Sequence, residues 1–530
     1  MFLIMSGAYI GQELQSEFGR IPPSFLPLGN RRIFQHQIKL APKGTSIYLT
    51  VPLSYKISKT DLEYLLHNNV QILPIPDNFS LGESLVAAIN LSEHNFNSSL
   101  HVLFGDTLFT ELPEGSNFAS LSSVEDNYHW AIATESELDW LQQAEGLLNV
   151  NGNKIINGYF NFAEPRQLLR ALTQSNWKFL EGLNNYKVLT GFTSKVTTKW
   201  LDFGHVNTYY SSKANFTTQR AFNQLEITPE WIEKSSSKDM KIVAESNWFY
   251  KLPFSLRNFI PQYLGESNNK GQTSYRLEYL HNTALNELYV FAELPDKTWK
   301  RILTKCISFL KACSSEKAPL NSPSNTLAEL FGIKTEKRLS EFCEVRGFTL
   351  DQKWDFNGDL ISLDDIVILS KKYLPKDGQA FSVLHGDFCF SNILYDFRAD
   401  RIKVIDPRGI TTNGEVSIYG NIYYDIAKLS HSIIGLYDWI MAGYFKVCLQ
   451  GSKINLSIDT KEELQNIQQF YTELIQQEFA ISNKQIIAMQ IELFLSMLPL
   501  HNDDIKRQNA LFANAFRLYR ALKDSEEDRS

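Results

Sequence analysis

The chain has 530 residues, of which 43% are hydrophobic and 13% aromatic, and its formal net charge is −7. This length exceeds what one hydrophobic core can serve and predicts roughly two to four domains. The apolar content excludes a largely disordered chain. The mildly acidic balance argues against a protein whose main partner is nucleic acid.

The cysteines and the apolar runs predict a cytoplasmic location. Five cysteines are scattered without a C-x-x-C pair, which predicts neither a disulfide framework nor a zinc site. The N-terminal run MFLIMSGAYIG has no basic n-region and no small-residue cleavage pattern, and is typical of a first buried strand rather than a signal peptide. The run IIGLYDWIMAGYF is too short to span a bilayer and contains Asp438, so we expect no membrane insertion. The sequence carries no signal for an oligomeric state.

Strands and helices alternate from Met1 to about Tyr210. The strand-like runs are FLIM, SIYLTVPL, VQILPI, LHVLFGD and HWAIAT, and amphipathic runs such as SKTDLEYLLHN and GESLVAAINL lie between them. This alternation predicts an α/β domain with a mostly parallel sheet. One apolar strand ends in Gly105-Asp106, and open parallel sheets bind ligands at the carboxyl ends of their strands.

A second section begins near Arg220. Its first part contains the strand-like runs RAFNQLEI, EWIEKSS and TSYRLEYL, with a helix predicted from about Lys238 to Lys251. Helical patterns dominate from about Leu285, interrupted by FSVLHGD, NILYDF and IKVIDP, and long helices are expected from Lys461 to about Leu522. We therefore predict an α/β domain over 1–215 and an α+β domain over 216–530, the latter with a small lobe over 216–284 and a mainly helical lobe over 285–530.

The segment HGDFCFSNILYDFRADRIKVIDPRG carries the strongest chemical pattern. It contains H-G-D-x-x-x-x-N, in which the aspartate is Asp387 and the asparagine Asn392, and a predicted hairpin then ends at Asp406. Phosphoryl transfer needs one carboxylate to orient the attacking hydroxyl and accept its proton. It also needs an amide oxygen and a second carboxylate to hold Mg²⁺ against the nucleotide phosphates. The alternative is a polar hairpin whose acidic residues face solvent.

This segment resembles the catalytic loop and metal-binding segment of the aminoglycoside phosphotransferase and choline kinase family, relatives of the protein kinases. The resemblance implies a protein-kinase-like phosphotransferase fold with ATP as the phosphoryl donor. It implies that Asp387 is the catalytic base and that Asn392 and Asp406 are Mg²⁺ ligands. His385 is expected to brace the loop, and Cys389 to be a buried packing residue rather than a nucleophile.

A kinase fold also needs a lysine and a glutamate upstream to engage the nucleotide phosphates. By the same resemblance, Lys234 in WIEKSS would reach the α- and β-phosphates and pair with Glu245 in the following helix. Lys238 and Lys241 are alternatives at exposed helix-start positions. No G-x-G-x-x-G precedes Lys234, so the loop over the phosphates is either abbreviated or built from T-P-E at Thr228–Glu230.

Other positions follow from the resemblance with less sequence support. Backbone groups near Glu278 and Leu280 would bind the adenine edge. Asp425 and Lys428 fall at a helix start, where the family has an aspartate that lies near the substrate or steadies the catalytic loop. His501 either lines an acceptor pocket or belongs to a capped helix junction.

Three runs in the first section resemble sugar-1-phosphate nucleotidyltransferases, which have a Rossmann-like, GT-A-like fold. They are PPSFLPLGNRRIFQHQI, LFGDTLF and WLDFGHVNTYY. The resemblance implies that Asp106 and Asp202 hold Mg²⁺ over a sugar phosphate and a nucleoside triphosphate such as CTP, UTP or dTTP. GESLVAAI and IINGYFNF stand where that family places base-side and sugar-side elements.

The chain departs from that family in its phosphate-binding cations. Its SGAYIGQEL segment has glycines but no arginine directly after them, and Pro23 or Ser24 stands where the family has a lysine. The expected replacements are Arg20, Arg31 or Arg32.

These patterns leave three hypotheses. The first is a bifunctional enzyme that phosphorylates a small hydroxyl compound and couples it to a nucleotide, giving an activated precursor for capsule or surface glycan. The second keeps only the kinase active, with a degenerate ligand-binding or regulatory N-terminal domain. The third, a pseudoenzyme adaptor, is disfavoured by the intact set Asp387, Asn392 and Asp406. A sugar, an amino alcohol such as choline or ethanolamine, and a polyol all remain open as acceptor.

Overall fold

The structure is a computed structural model that describes residues 1–92, 98–123, 131–134, 140–143, 154–218, 225–236, 239–269, 272–378 and 380–527. The chain divides into two compact units. Unit 1 comprises Met1–Lys213 with Phe291–Glu293, and unit 2 comprises Ala214–Val290 with Leu294–Ser530. The boundary predicted from the sequence, between residues 215 and 216, lies two residues after the boundary between Lys213 and Ala214. The prediction also assigned Phe291–Glu293 to the second domain, whereas these residues belong to unit 1.

Unit 1 is built from eleven described strands and from helices that lie between them. The strands are β1 Phe2–Met5, β2 Ile47–Pro52, β3 Val70–Ile75, β4 Leu100–Phe104, β5 Thr107–Phe109, β6 Phe118–Ser123, β7 Ala131–Ala133, β8 Leu141–Gln143, β9 Lys154–Phe162, β10 Thr193–Val196 and β11 Trp200–Asp202. The helices are α1 Gln12–Phe18, α2 Ile33–Gln37, α3 Lys59–His67, α4 Leu81–Leu91, α5 Pro165–Gln174, α6 Phe179–Thr190 and α7 Val206–Thr218, with 3-10 turns at Pro23–Phe25 and Ile38–Leu40.

The sheet of unit 1 is largely parallel, which confirms the predicted α/β class. Strands β3, β2, β1 and β4 are parallel neighbours in that order, and β9 then pairs antiparallel with both β4 and β6. Strand β1 lies between β2 and β4, so the order of the parallel strands reverses there. Reversal points of this kind leave a crevice at the carboxyl ends of the strands. Of the predicted strand HWAIAT, His129 and Trp130 lie outside the described residues.

Both faces of this sheet are covered, as parallel sheets require. Along β1, Leu3 packs into one hydrophobic cluster and Phe2 and Ile4 into another, and all three side chains are fully buried. Successive side chains of a strand point to opposite faces, so a continuous apolar run such as FLIM is expected where both faces meet helices.

Unit 2 contains thirteen described strands and ten α-helices. The strands are β12 Leu225–Ile227, β13 Trp231–Ser236, β14 Tyr263–Asn269, β15 Gln272–Glu278, β16 Thr283–Ala284, β17 Trp354–Phe356, β18 Asp359–Ile361, β19 Phe381–Val383, β20 Ile393–Asp396, β21 Arg401–Val404, β22 Tyr419–Asn421, β23 Phe445–Gln450 and β24 Lys453–Ile458. The helices are α8 Asp239–Lys251, α9 Leu285–Phe291, α10 Asp296–Ser315, α11 Lys334–Arg346, α12 Leu363–Tyr373, α13 Ile422–Ile433, α14 Tyr437–Met441, α15 Leu464–Phe479, α16 Asn483–Met497 and α17 Ile505–Glu527. Shorter turns lie at Phe254–Phe259, Phe390–Asn392 and Leu498–His501, and a π-helical turn at Ala328–Ile333.

Unit 2 has the predicted α+β composition. An antiparallel sheet in the order β12-β13-β15-β14 precedes a mainly helical region, and β20 and β21 form the hairpin predicted for NILYDF and IKVIDP. Residues 220–224 of the predicted strand RAFNQLEI lie outside the described residues. No helix among the described residues is long and apolar enough to cross a membrane.

A second four-stranded sheet, in the order β18-β17-β24-β23, was not predicted. Helical patterns were expected to dominate this part of the chain. Strands β23 and β24 form a hairpin with Gln450 opposite Lys453, and their side chains alternate between partly covered and exposed. Such half-exposed strands carry few apolar residues, and the long helical runs around them obscured their period of two.

One buried carboxyl makes the stability of unit 2 depend on pH. Glu492 on α16 is fully buried, accepts a hydrogen bond from Ser370 Oγ at 2.6 Å, and has no partner for Oε2 among the described residues. Burial raises its pKa from the ordinary 4.5 to about 7. The folded state therefore retains a proton that the unfolded state has lost, so stability falls as pH rises between these two values.

We predict that Glu492→Gln raises the melting temperature at pH 8 and has little effect at pH 4.5. The amide resembles the protonated acid and cannot ionise, and the pKa difference corresponds to at most about 3 kcal/mol. Thermal unfolding of the full chain across this pH range measures the effect. Glu341→Gln, at an exposed position on α11, should show no such pH dependence. A Glu492→Gln variant less stable than the parent chain at pH 8 would contradict the assignment.

Candidate active sites

In unit 1 the structure brings Asp106 and Asp202 together. Asp106 directly follows β4, and the short strands β5 and β11 pair antiparallel so that Asp202 lies opposite Thr107. The Phe203 amide donates to the Asp106 carbonyl at 2.8 Å, which fixes the second strand against the first. The two predicted carboxylates therefore lie side by side at the carboxyl end of the parallel sheet.

The electrostatics of this pair favour a bound cation. Burial first, and the neighbouring Asp202 charge second, raise the pKa of Asp106 to about 6. Asp202 Oδ2 is buried and has no hydrogen-bond partner among the described residues, and His205 Nδ1 lies 3.7 Å from it. A Cβ added at Gly204 would lie 2.8 Å from Asp106 Oδ2 and 3.4 Å from Asp202 Oδ1, so the glycine borders both carboxylates. Two buried carboxylates with an unused oxygen are a donor set that suits a hard divalent cation.

A cavity of about 750 Å³ opens beside these carboxylates. Its lining includes Gly82 and Glu83 from GESLVAAI, the preceding Leu81, and Asn157 and Gly158 from IINGYFNF. Both stretches that the resemblance placed near the ligand thus border the same cavity. This volume is in the range of small-molecule sites.

The described lining of this cavity is poor in cations. Lys178 lines it but forms an ion pair with Glu181 at 2.7 Å. Arg20 pairs with Asp77, and Arg32 is a fully buried partner of Asp61 at 3.2 Å. Neither arginine borders the cavity, and the buried pair gives Arg32 a structural role that excludes it as a replacement for the missing phosphate-binding lysine.

In unit 2 the loop after β19 positions Asp387 between a cation and an amide. Lys428 Nζ lies 2.7 Å from Asp387 Oδ1, and Asn392 Nδ2 donates to the Asp387 carbonyl at 2.9 Å and to Oδ2 at 3.1 Å. Burial alone would raise the pKa of Asp387, but the charge and hydrogen bond of Lys428, aided by Asn392, outweigh it and lower that pKa. The carboxylate is therefore ionised at neutral pH.

Buried groups hold this loop in place. Asp425 accepts the backbone amides of His385 at 2.7 Å and Gly386 at 2.8 Å. The His385 ring contacts the Ile405 carbonyl through Nε2 at 3.0 Å and accepts the Asp387 amide at Nδ1. Burial lowers the pKa of His385 to about 4, so the ring is neutral and these contacts place its proton on Nε2. The geometry agrees with a bracing role for His385.

Lys234 contacts both Glu245 and Asp406, the residue that follows the β20–β21 hairpin. Lys234 Nζ lies 3.3 Å from Glu245 Oε2 and also pairs with Asp406, and Tyr275 donates to Glu245 Oε2 at 2.6 Å. Asp406 has a left-handed backbone conformation with φ of 58°, which turns the chain sharply after β21. The alternative Lys241 reaches Glu245 Oε1 at 3.6 Å from a largely exposed position, and Lys238 lies outside the described residues.

Two features of the small lobe bear on the predicted nucleotide contacts. Thr228–Glu230 form a tight turn between β12 and β13, closed by the Thr228 amide donating to the Trp231 carbonyl, so a short turn built from T-P-E precedes Lys234. The Glu278 amide donates to the Gln262 carbonyl at 2.9 Å and is engaged within the sheet, and Leu280 follows at the end of this strand. Recognition of adenine at these positions stays a prediction.

The ligand atoms at both sites fit Mg²⁺. Asn392 turns its amide nitrogen toward Asp387, which leaves Oδ1 with only a 3.4 Å contact from Ser391 Oγ, and Asp406 supplies a partly exposed carboxylate. Within the described part of the chain, no group of three or more His, Cys, Asp or Glu side chains is arranged to hold a metal. Mg²⁺ commonly takes one or two protein oxygens and completes its shell with water and phosphate, so two oxygens at each site suffice.

A glycine fixes the distance between this hairpin and the helix that carries Glu245. Gly409, the last residue of D-P-R-G, has φ of 63°, and a Cβ there would lie 2.2 Å from the Ala244 carbonyl oxygen and 3.3 Å from the Glu245 amide nitrogen. A side chain must therefore push α8 and the loop apart. The sequence contained D-P-R-G, but nothing in it indicated contact with α8.

We predict that Gly409→Ala lowers ATP-dependent turnover at least about tenfold, because the clash separates Glu245 from Lys234 and Asp406. The matched control is Gly414→Ala, whose φ of 85° imposes a similar backbone strain of about 1–2 kcal/mol but whose Cβ would meet nothing within 4 Å. Initial rates and thermal melts of both variants separate the clash from the strain. Equal losses in the two would contradict the role of Gly409.

Three comparisons with known proteins complete the description. No protein-family model matches the chain, and no curated protein matches it. Among solved structures, it is similar to the nucleoside-diphosphate-sugar pyrophosphorylase of Vibrio cholerae RC9, with 14% identity over 40% of this chain and 99% of that chain and a TM-score of 0.33. It is also similar to the inositol-1-phosphate CTP transferase of T. maritima, with 15% identity over 41% of this chain and 96% of that chain and a TM-score of 0.31.

A thermostable mutant of aminoglycoside phosphotransferase APH(4)-Ia matches at 13% identity over 56% of this chain and 89% of that chain, with a TM-score of 0.35. The solved neighbours thus include nucleotidyltransferases and phosphotransferases, the two classes whose motifs the sequence resembles. Likenesses at such TM-scores say nothing by themselves about activity, which has to come from the side chains.

Proposed function

We propose that unit 2 is an ATP-dependent phosphotransferase that acts on a hydroxyl group of a small molecule. The observation that supports this most directly is the convergence of Asp387, Asn392, Asp406, Lys234 and Glu245 in one site. These residues come from four separate elements, and a solvent-facing acidic hairpin would not need beside it a lysine, Lys234, that is paired with the buried Glu245.

The residues divide the chemistry between orientation and charge. Asp387 accepts a hydrogen bond from the acceptor hydroxyl and takes its proton as the oxygen bonds to the γ-phosphorus and the bond to ADP breaks. Its lowered pKa makes it a weak base, which suits a loose transition state in which the hydroxyl loses its proton late. Lys234 contributes positive charge toward the α- and β-phosphates, and Glu245 holds that lysine in place.

Asn392 and Asp406 would hold Mg²⁺, which when bound neutralises phosphate charge. In the described structure Lys234 is already paired with Asp406, so the lysine lies next to the proposed metal ligands. Backbone groups near Glu278 and Leu280 are the proposed contacts for adenine.

We propose a second activity for unit 1, the transfer of a nucleotide onto a sugar phosphate or similar phosphate ester with release of pyrophosphate. Asp106 and Asp202 would hold Mg²⁺ at the mouth of the cavity, and CTP, UTP or dTTP would be the nucleotide. Support comes from the adjacent carboxylates, from the cavity beside them, and from Asp202 Oδ2, which accepts no hydrogen bond among the described residues and lies 3.7 Å from His205 Nδ1. The phosphorylated product of unit 2 would then be the substrate of unit 1.

A second candidate function keeps the kinase and makes unit 1 a ligand-binding or regulatory domain. The described lining of its cavity has few free cations, since Lys178 is paired, and this observation favours that candidate. Only the bifunctional candidate releases pyrophosphate, so an assay for pyrophosphate distinguishes the two candidate functions.

The setting proposed for the bifunctional enzyme is the cytoplasm, where ATP and the other nucleoside triphosphates are made. Its product would be a nucleotide-activated building block for capsule or surface glycan. This setting is an inference from the pairing of the two chemistries.

The test is to incubate the full chain with ATP, Mg²⁺ and a panel of hydroxyl compounds and to measure ADP release. The products are then supplied with CTP, UTP or dTTP and assayed for pyrophosphate. ADP release that depends on an acceptor supports the kinase, and pyrophosphate release supports the second activity. ADP without pyrophosphate supports the kinase-only candidate, and release of neither contradicts both.

A further inference from the structure

The cavity next to Asp387 has more positive than negative side chains. It has a volume of about 460 Å³, and its lining contains five cations and three carboxylates. The cations are Lys241, Lys334, Arg338, Arg408 and Lys428, and the carboxylates are Glu245, Asp387 and Asp406. The proposed catalytic groups thus share their cavity with an excess of positive charge.

Each of the three carboxylates forms an ion pair with a lysine. Glu245 is paired with Lys234 and Lys241, Asp406 with Lys234, and Asp387 with Lys428. The other three lining cations form no ion pair with a carboxylate among the described residues. They are Lys334, Arg338 and Arg408. The surplus charge therefore lies with these three side chains.

These three cations, which we call the basic triad, are held close together and partly buried. Lys334 and Arg338 lie one turn apart on α11, and Arg338 Nη1 is anchored to the Ser496 carbonyl at 3.1 Å. Burial first, then the charges of Arg408 and Arg338, lower the pKa of Lys334. Holding like charges together in a partly buried site is unfavourable unless an anion compensates them.

The pKa of the Tyr424 phenol is affected by the same positive charges. Lys334 Nζ lies 5.8 Å from the centre of this buried ring. Burial alone would raise the pKa of Tyr424, yet the charges of Lys334, Lys428 and Arg408 outweigh it and lower that pKa. The field in this part of the cavity therefore favours a negative charge.

The basic triad lies on the helical side of the cavity. Lys334 and Arg338 belong to α11, and the neighbouring wall is formed by Leu493 and Met497 of α16. The ring nitrogens of His431, which also lines this wall, are buried and have no hydrogen-bond partner among the described residues. A buried polar group without a hydrogen-bond partner needs an explanation, and a polar ligand in the adjoining cavity would supply one.

We propose that the acceptor phosphorylated by unit 2 carries an oxyanion, either a carboxylate or a phosphate, which the basic triad binds while its hydroxyl reaches Asp387. This proposal rests on the phosphotransferase function of unit 2 and narrows its acceptor. Choline, ethanolamine and aminoglycosides are cations and would be repelled from this wall. Guanidinium groups are especially suited to binding carboxylate and phosphate.

The first test compares acceptors that share a scaffold and differ in charge. Glycerol, glycerol 3-phosphate and glycerate form one series with choline as the cation, and glucose, glucuronate and glucosamine form a second. We expect ADP release with the phosphate or carboxylate members and little with the neutral and cationic ones. Efficient turnover of a cationic or neutral member, with none of the anionic ones, would overturn the proposal.

The second test measures anion binding without turnover. With a non-hydrolysable ATP analogue bound to the full chain, inorganic phosphate and sulfate are titrated by calorimetry. We expect binding to the parent chain, and at least about tenfold weaker binding to Lys334→Gln and Arg338→Gln. Lys337→Gln, an exposed position on the same helix, should bind as the parent does. No binding to the parent, or equal binding to all variants, would overturn the proposal.

The two tests also separate this proposal from the proposed function and from nucleotide binding. If Lys334→Gln and Arg338→Gln raise the KM for ATP and leave that for the acceptor unchanged, the basic triad binds nucleotide and the proposal is wrong. If no acceptor in either series supports ADP release but the variants lose phosphate binding, the phosphotransferase function fails while the anion site stands.

Discussion

Asp387→Asn is expected to lower phosphoryl transfer by about 10³-fold, in line with the loss of a positioned acid–base group. Asparagine keeps the shape of the side chain and can still accept a hydrogen bond, but it cannot take the hydroxyl proton. The loss should appear in kcat, because the carboxylate contributes mainly as the proton moves. ADP release at saturating acceptor measures it.

The same substitution leaves the Lys428 charge in a mostly buried position without its carboxylate partner. We therefore expect a lower melting temperature, and circular dichroism must show that the variant is folded at the assay temperature. Asp359→Asn, at an exposed position 3.5 Å from Arg520, serves as the matched control and should retain full activity. Turnover by Asp387→Asn at the rate of the control would refute the role assigned to this residue.

Asp106→Asn and Asp202→Asn are expected to abolish pyrophosphate release by the full chain while ADP release continues at the parent rate. If the two carboxylates hold Mg²⁺ as proposed, losing one of them removes several kcal/mol of charge stabilisation, or about 10³-fold in rate. Parallel assays of the two products on one preparation measure both effects.

Stability gives a second readout for this pair. Burial first, and repulsion by Asp202 second, raise the pKa of Asp106, so a neutral asparagine should raise the melting temperature in the absence of metal. Loss of activity with a gain of stability is the pattern of a functional residue, whereas a structural one would lose both. Asp77→Asn is the control, because it removes an exposed carboxylate that contacts Arg20 and Ser54 and does not line the cavity. Unchanged pyrophosphate release from the Asp106 variant would contradict the proposed second activity.

Much of the fold of unit 1 and several site residues could be predicted because they depend on local patterns. Continuous apolar strands separated by amphipathic helices indicate a parallel sheet, and Asp106 directly follows one of those strands. In unit 2 the loop and hairpin around Asp387, Asn392 and Asp406 occupy only a short stretch of sequence. Their spacing alone therefore indicated that they could meet.

Features that depend on distant segments could not be predicted. The pairing of β5 with β11 joins three-residue strands far apart in sequence, and their length carries almost no periodic signal. The basic triad combines α11 with the residue after Pro407, and no spacing relates them. The contact of Lys428 with Asp387 could have been predicted from the sequence, because Asp425 and Lys428 lie three residues apart on one face of α13.

The replacement arginines proposed for unit 1 show the same limit. Arg32 lies in the segment that resembles the nucleotidyltransferases, and its position in the sequence made it a candidate for phosphate binding. Its side chain instead lies in the core and pairs with Asp61 from α3, a partner that only tertiary structure reveals. A buried charge with such a partner is fixed in place and serves the fold.

The central claim is that unit 2 transfers the γ-phosphoryl group of ATP to a hydroxyl group of a small molecule. The most direct measurement supplies the full chain with Mg²⁺ and ATP labelled at the γ-phosphate, and follows the label in the products by mass spectrometry. We predict that the label appears in a phosphate ester of an anionic acceptor and that Asp387→Asn does not produce it. Label recovered only in ATP or in inorganic phosphate, with every acceptor, would contradict the claim.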